Sequence, residues 1–215
     1  MRHRPITATL RTIGLACVFS ALTWTAPFAA QATTLSDNTE QVSSGTLAAT
    51  ATSWLAASFT SDADHSLATL DAVLSGSVDS GASTLALYSS DASGLIPDSL
   101  LATFTATSTD GGSLGFTLSG IDLLAGSSYW LVLSNGAGGT NWSWTEASEG
   151  TGTGFTGLWA NSDDAGDVWF TNSTLYPLQA KVTVSAVPES ATLLLWLGAL
   201  PLLACARARS KEANA

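Results

Sequence analysis

One histidine lies beside two carboxylates in the body of the chain, residues 33–186, and such a combination can activate a serine. His65 follows Asp62 and Asp64, and it is the only histidine after residue 3. A Ser-His-Asp triad needs an imidazole that a carboxylate holds against a serine hydroxyl. Because the chain offers one imidazole after its predicted signal peptide, on a predicted loop, we expect a solvated histidine and predict no catalytic residue.

Two glutamates lie close to two tryptophans, a grouping that suggests carbohydrate chemistry. Glu146 and Glu149 are three residues apart, and glycosidases use two carboxyl groups, one as the acid and one as the base or nucleophile. Trp142 and Trp144 would point to the same face of a strand. Their indoles would either fill the core or lie exposed, where sugars stack on them. We predict surface charge for the glutamates and leave both alternatives open for the tryptophans.

An acidic turn near the end of the body, which begins at Asn161 and runs to Asp167, resembles a calcium-binding loop. Carboxylate and amide oxygens are ligands that Ca²⁺ prefers. The turn is not an EF-hand, because its fifth position is alanine and its twelfth is asparagine, where a bidentate acid is expected. An irregular calcium site is one hypothesis and a solvated turn is the other, and no other cofactor is predicted. The candidate ligands are Asn161, Asp163, Asp164 and Asp167.

The charge of the body excludes one class of partner. Between residues 33 and 186 there are 15 acidic residues and one basic residue, Lys181, which give a net charge of −14. Phosphate backbones and anionic lipids bind clustered Lys and Arg, so we expect no nucleic-acid partner and no membrane contact through this segment. Mutual repulsion should raise the carboxylate pKa values, whereas hydrogen bonds from hydroxyls and amides would lower them.

The elements that position these residues read as β-strands. Apolar residues alternate with polar residues from Leu178 to Ala186, the pattern of a half-buried strand. Residues 129–133 are apolar on both faces, which favours a central strand. Gly, Pro, Asn and Asp divide about eight such segments, and 150–157 reads as a flexible loop. The pattern predicts an all-β domain at 33–186, a two-sheet antiparallel β-sandwich of jelly-roll-like type.

Both ends of the chain are typical of targeting segments. Residues 1–32 have a basic start, an apolar stretch and a final Ala-Gln-Ala, which predicts a signal peptide that signal peptidase cleaves after Ala32. Residues 191–206 are uncharged and predict a short transmembrane helix, the only expected membrane contact. The basic tail 207–215 should stay cytoplasmic, because positive residues remain inside. Its basic residues are Arg207, Arg209 and Lys211.

The carboxy-terminal segment 187–215 resembles the PEP-CTERM sorting signal of Gram-negative bacteria. Its motif, at 187–190, is Val187-Pro188-Glu189-Ser190, with Ser190 where the family usually has a second proline. The resemblance implies recognition by an exosortase, an integral-membrane enzyme with a cysteine nucleophile. It also implies export to the cell envelope or the extracellular matrix. An anchor that is never processed is the alternative.

The body resembles a second family, the choice-of-anchor R domain, over most of residues 38–186. Such domains occur on exported bacterial proteins with varied carboxy-terminal anchors, and the resemblance brings no catalytic residue. The matching segments are 38–41, 54–60, 85–89, 97–102 and 129–134.

Three hypotheses about function follow. The first is a non-catalytic envelope or matrix protein that an exosortase sorts. The second is a carbohydrate-binding module that binds exopolysaccharide through Trp142 and Trp144. The third and weakest is a secreted glycoside hydrolase that uses Glu146 or Glu149.

Overall fold

The computed structural model describes residues 31–76, 83–105, 112–117, 120–135, 139–172 and 174–187, and this part of the chain is all β. Its thirteen strands form two antiparallel sheets, without a helix in those ranges. The two sheets are consistent with the predicted β-sandwich. The strands are β1 (Ala32–Asp37), β2 (Gly45–Ala49), β3 (Trp54–Thr60), β4 (His65–Gly76), β5 (Ser83–Ser90), β6 (Pro97–Thr105), β7 (Gly112–Thr117), β8 (Asp122–Leu123), β9 (Ser128–Asn135), β10 (Thr140–Trp144), β11 (Phe155–Ser162), β12 (Phe170–Asn172) and β13 (Ala180–Ala186).

The first sheet is organised around β4. On one side β4 pairs with β13 and then, at its carboxyl end, with β10. On its other side it pairs with β8 and β7. β1 pairs with β13, and β2 pairs with β10. The predicted alternation before residue 187 is confirmed over most of β13, where Ala180, Val182 and Val184 are buried and the residues between them are half-exposed. It fails at its two ends, because Gln179 is buried and Ala186 is exposed.

The second sheet has the order β12-β11-β3-β9-β5-β6. β9 lies in its interior and pairs with β3 and β5 along its whole length. Leu131 and Leu133 face the first sheet, whereas Trp130 and Val132 face outward, and all four are at most 1% exposed. The prediction of a central strand that is apolar on both faces is therefore confirmed.

The main core lies between the two sheets. Leu67, Leu70 and Val182 of the first sheet pack in one cluster with Phe59 and Leu131 of the second. Each such side chain contributes about 1.5–3 kcal/mol when it is removed from water. The period-two alternation thus places apolar side chains on the facing sides of both sheets. These side chains form one apolar layer, which stabilises the packing of the two sheets.

A second apolar cluster covers the outer face of the second sheet. Trp130 is fully buried there, and its indole N–H donates to the Ser90 hydroxyl at 3.0 Å. Trp169, which precedes β12, packs against the same cluster. The loop after β5 reaches across to β12, where the Thr171 hydroxyl donates to the Leu95 carbonyl at 2.6 Å. Two connecting segments therefore shield a face that would otherwise meet water.

The segment 150–157 differs from the flexible loop expected of it. Phe155 begins β11, and the Gly154 amide donates to the Leu35 carbonyl at 2.8 Å. Gly154 lies so close to the Thr60 backbone that a Cβ would collide with its carbonyl oxygen. Gly154 is therefore required by close backbone packing. A glycine-rich composition alone does not distinguish such a requirement from flexibility.

Candidate functional site

Several predicted sites lie outside the described residues. These are Pro188, Glu189 and Ser190 of the sorting motif, the apolar segment 191–206, the basic residues Arg207, Arg209 and Lys211, and residues 1–30 of the signal peptide. Within the ranges that the structure does describe, no helix is both long and apolar enough to cross a membrane. Val187, the first residue of the motif, is exposed and follows β13 directly.

The two ends of the described chain meet in the first sheet. Ala32 at the start of β1 lies opposite Ser185 near the end of β13, and Thr33 lies opposite Val184. Because the two strands are antiparallel, the segment before Ala32 and the segment after Ala186 leave from the same end of the sheet.

His65 is held by a carboxylate, but no hydroxyl faces its other ring nitrogen. Its Nε2 lies 2.8 Å from Asp62 Oδ1, and the Thr153 hydroxyl donates to Asp62 Oδ2 at 2.8 Å. Hydrogen bonds from His65 and then Thr153 lower the pKa of Asp62. The buried Nδ1 atom has no hydrogen-bond partner among the described residues. The two contacts of Asp62 therefore tie the start of β4 to the segment before β11, and the other ring nitrogen of His65 meets no serine hydroxyl among the described residues.

The chain contains one Gly-x-Ser-x-Gly pattern, at residues 111–115. In hydrolases this pattern places the serine on a sharp turn between a strand and a helix. Here Ser113 lies inside β7, opposite Val73 of β4. Residues 112–115 of the pattern therefore lie in an extended strand, where Ser113 is not on the sharp turn that presents a nucleophile.

Glu146 and Glu149 lie in the segment after β10, and both are exposed. Neither lines the cavity of about 560 Å³ beside the loop after β5 or the groove of about 290 Å³ beside β2. A glycosidase holds its two carboxyl groups on opposite sides of a bound sugar. Neither of these two cavities is therefore a cleft between the two glutamates.

The structure contradicts sugar contact by Trp142. Its side chain is fully buried in the main core, and its indole N–H donates to the Gln179 carbonyl at 2.9 Å. Trp144 lies on the same face, as predicted, and packs partly buried against that core. Its ring meets Tyr176 edge-on, with centroids 5.2 Å apart. The face that the two indoles share points into the sandwich, so Trp142 is unavailable to a ligand.

The acidic turn uses its polar groups to hold its own backbone. Asp164 Oδ1 accepts from the Ser162 hydroxyl at 2.7 Å and from the Val168 amide at 2.8 Å. These bonds, that of the Val168 amide first, lower the pKa of Asp164. Asn161 and Asp163 accept instead from Asn172 and Ser53. No three His, Cys, Asp or Glu side chains in the described ranges are grouped as metal ligands, so this part of the chain offers the calcium hypothesis no cluster of carboxylates.

A row of charges crosses the first sheet, and the sequence analysis did not anticipate it. Asp37 of β1 pairs with Lys181 of β13, which pairs with Asp71 of β4. The Lys181 ammonium lies 3.0 Å from Asp37 Oδ2, and the Thr39 hydroxyl and amide donate to Oδ1 at 2.7 and 2.9 Å. The only lysine of the body therefore lies between two aspartates.

The pKa values in this row follow from burial and from the lysine. Burial raises the pKa of Asp37, but the bonds from Thr39 and Lys181 together hold it below its ordinary value. For Asp71, burial outweighs the attraction of Lys181 and leaves the pKa raised. The hydrogen bond to Asp37 raises the pKa of Lys181. The lysine thus stabilises the charged form of one aspartate more than that of the other.

The groove beside β2 is lined by aromatic and polar side chains of both sheets. Trp54 of β3 and Trp159 of β11 are partly exposed in its walls, and Asn161 and Asp163 lie beside them. This groove was not predicted from the sequence. The only local signal for it is that Trp159 and Asn161 share one face of a strand.

Comparison with known proteins adds no family. No protein-family model matches the chain, and no curated protein gives a significant match.

Proposed function

We propose that the chain is an exported, non-catalytic protein of the cell envelope or extracellular matrix, sorted by an exosortase through residues 187–215. The observation that carries the proposal is the meeting of the chain ends in the first sheet, where Ala32 lies opposite Ser185. The described residues that adjoin the predicted signal-peptidase site and the sorting motif therefore lie at one end of one strand pair. A domain tethered there would present its two sheets away from the membrane.

The boundary of the last strand supports processing of the folded protein. β13 ends at Ala186, and Val187 is 38% exposed. Cleavage beyond Val187 would remove no residue of the sheet, so the domain would keep its main core after release. Within this proposal residues 33–186 form a jelly-roll-like domain of the choice-of-anchor R type, and residues 191–206 form the transient membrane helix.

The non-catalytic part of the proposal rests on two geometries. His65 Nδ1 faces no hydroxyl among the described residues, and Glu146 and Glu149 are exposed outside both cavities described above. Neither arrangement supports hydrolysis, and we prefer a structural or binding role.

The double substitution Pro188→Ala with Glu189→Ala tests the sorting step. We expect export to remain intact while the protein stays in the inner membrane, because the exosortase motif is lost. Cell fractionation with immunoblotting would locate the protein and detect the change in mass on processing. Ser190→Pro is the matched control, since it restores the common Pro-Glu-Pro sequence and should leave sorting unchanged. Arrival of the double variant at the normal final location would favour the unprocessed anchor instead.

A further inference from the structure

The groove beside β2 is built by segments that are far apart in sequence and bonded to one another. The Ser53 hydroxyl, before β3, donates to Asp163 Oδ1 at 3.0 Å. The Ala165 amide donates to the Thr52 carbonyl at 2.8 Å. The connection between β2 and β3 is thus fixed to the acidic turn after β11, and the groove between them is preorganised.

Trp159 provides the apolar wall of the groove, and Trp54 borders it at the start of β3, where it packs against the outer cluster of the second sheet. The Trp159 N–H donates to the Leu175 carbonyl at 3.2 Å, and the Trp54 N–H donates to the Ala51 carbonyl at 3.4 Å. Because both N–H groups have partners in the protein, both rings are fixed, and the partly exposed Trp159 offers apolar surface to a ligand. Gly166 packs against Trp54, where a Cβ would lie 2.7 Å from Cζ3 of the ring. The acidic turn therefore holds Trp54 in place.

Two polar side chains supply hydrogen-bonding groups next to these rings. Asn161 Oδ1 accepts from Asn172 at 2.9 Å, which orients the amide, while its Nδ2 has no partner among the described residues. Asp163 is exposed, and of its two carboxylate oxygens only Oδ1 has a protein partner in the described ranges, the Ser53 hydroxyl. An ionised carboxylate accepts several hydrogen bonds, and an amide N–H₂ donates two.

We propose that this groove binds one residue of a neutral glycan. A pyranose presents an apolar C–H face that packs on an indole and a rim of hydroxyls that donate to a carboxylate and accept from an amide. The volume of about 290 Å³ lies near the lower end of the range for ligand sites, roughly 300–1,000 Å³. That size suits a single sugar unit.

The charge of the groove selects neutral sugars over acidic ones. Asp163 is negative, and the lining of the groove contains no Lys or Arg. The only basic residue between 33 and 186 is Lys181, on β13 of the first sheet. A uronate, sulfate or phosphate in the groove would face a carboxylate without a compensating cation, which disfavours binding.

This inference goes beyond the proposed sorting function and does not depend on it. Glycan binding is a property of the folded domain, whereas sorting is a property of residues 187–215. Substitutions in the groove and substitutions at Pro188 and Glu189 therefore test separate statements, and failure of one leaves the other intact.

Affinity gel electrophoresis of the full chain in a non-glycosidic detergent tests the proposal. The gels contain dextran, glucomannan, galactomannan or xylan as neutral polysaccharides, or alginate as the acidic one. Mobility in each gel is divided by mobility in a polysaccharide-free gel, which removes the effect of protein charge. We expect retardation by at least one neutral polysaccharide and none by alginate.

Matched variants locate the binding site. Trp159→Ala and Asp163→Ala should each weaken binding by about tenfold or more, because each removes roughly one aromatic or charged contact with the sugar. Trp169→Ala and Asp167→Ala are the controls, because they remove the same side chains outside the groove, and they should bind like the natural chain. Asp163→Asn keeps a side-chain oxygen that can accept from the Ser53 hydroxyl and removes only the charge, so it reports on the carboxylate even if Trp159→Ala disturbs the fold. Absence of retardation in all four neutral gels, equal retardation by alginate, or equal loss in the controls would each overturn the proposal.

Discussion

Replacement of Lys181 by Met removes the only Lys or Arg of the body. Asp37 and Asp71, which lie on either side of Lys181 in the first sheet, then have no cation between them. The Asp37 side chain is 9% exposed and the Lys181 side chain is 35% exposed, with 3.0 Å between their charged atoms. A fully buried pair loses about 3–5 kcal/mol when one partner is removed, and a fully exposed pair loses about 0.2–1 kcal/mol. Because solvent screens the lysine, we expect a loss of about 1–2 kcal/mol. For a domain of this size the melting temperature should fall by roughly 3–6 °C.

The pH dependence distinguishes lost charge from lost packing. The folded-state pKa of Asp37 is lowered, so its contribution to stability is present above its unfolded-state value of about 3.9 and is lost as the pH falls through the folded-state value. The lysine is one cause of that lowering. The difference between Lys181→Met and the natural chain should therefore be largest near pH 7 and shrink below about pH 4.

Urea denaturation of the full chain, followed by tryptophan fluorescence, measures this difference at each pH. Asp37→Asn and the double variant complete a thermodynamic cycle for the pair. A coupling energy below about 0.3 kcal/mol would show that the ion pair is not the cause. A destabilisation that is equal at neutral and acidic pH would likewise refute the electrostatic argument and assign the loss to the methylene stem of the lysine.

Two further predictions concern the sites that the sequence suggested. Trp142→Ala should destabilise the fold by about 3–5 kcal/mol, because a fully buried side chain leaves a cavity, and Trp144→Ala should cost less, because Trp144 is partly exposed. Urea denaturation of both variants checks the order, and an equal or reversed order would contradict it. The melting temperature should be the same in chelator and in millimolar CaCl₂ at matched ionic strength, because Asp164 already binds its own turn. An increase that CaCl₂ causes and MgCl₂ does not would instead support the calcium hypothesis.

The sequence predicted the strands whose patterns are strong and local. The alternating run 178–186 was expected as a strand and contains β13, and the doubly apolar run 129–133 lies within β9. β1, β2, β8, β11 and β12 were not anticipated. Short strands at sheet edges carry little periodic signal, and the start of β11 was expected to belong to the flexible loop 150–157. Their pairing depends on neighbours that are distant in the sequence.

The candidate sites could be predicted only as far as strand geometry allows. Period-two alternation places Trp142 and Trp144 on one face, as found, but it does not say whether that face meets the core or solvent. The groove depends on the contact between Ser53 and Asp163, which are 110 residues apart in the chain. Such a juxtaposition follows from the packing of two sheets, and no spacing within the sequence encodes it.

The fold tolerates its many carboxylates because it places hydrogen-bond donors next to several of them. Asp62, Asp91 and Asp164 have lowered pKa values, and in each case a hydrogen bond is the largest cause. Asp71 is half-buried and accepts no hydrogen bond from the described residues, and burial raises its pKa. Local donors therefore outweigh mutual repulsion at these turns, and their stabilising effect is lost as the pH falls through the lowered folded-state values. The natural chain in the same denaturation series should lose stability below about pH 4, whereas a gain there would show that net repulsion dominates.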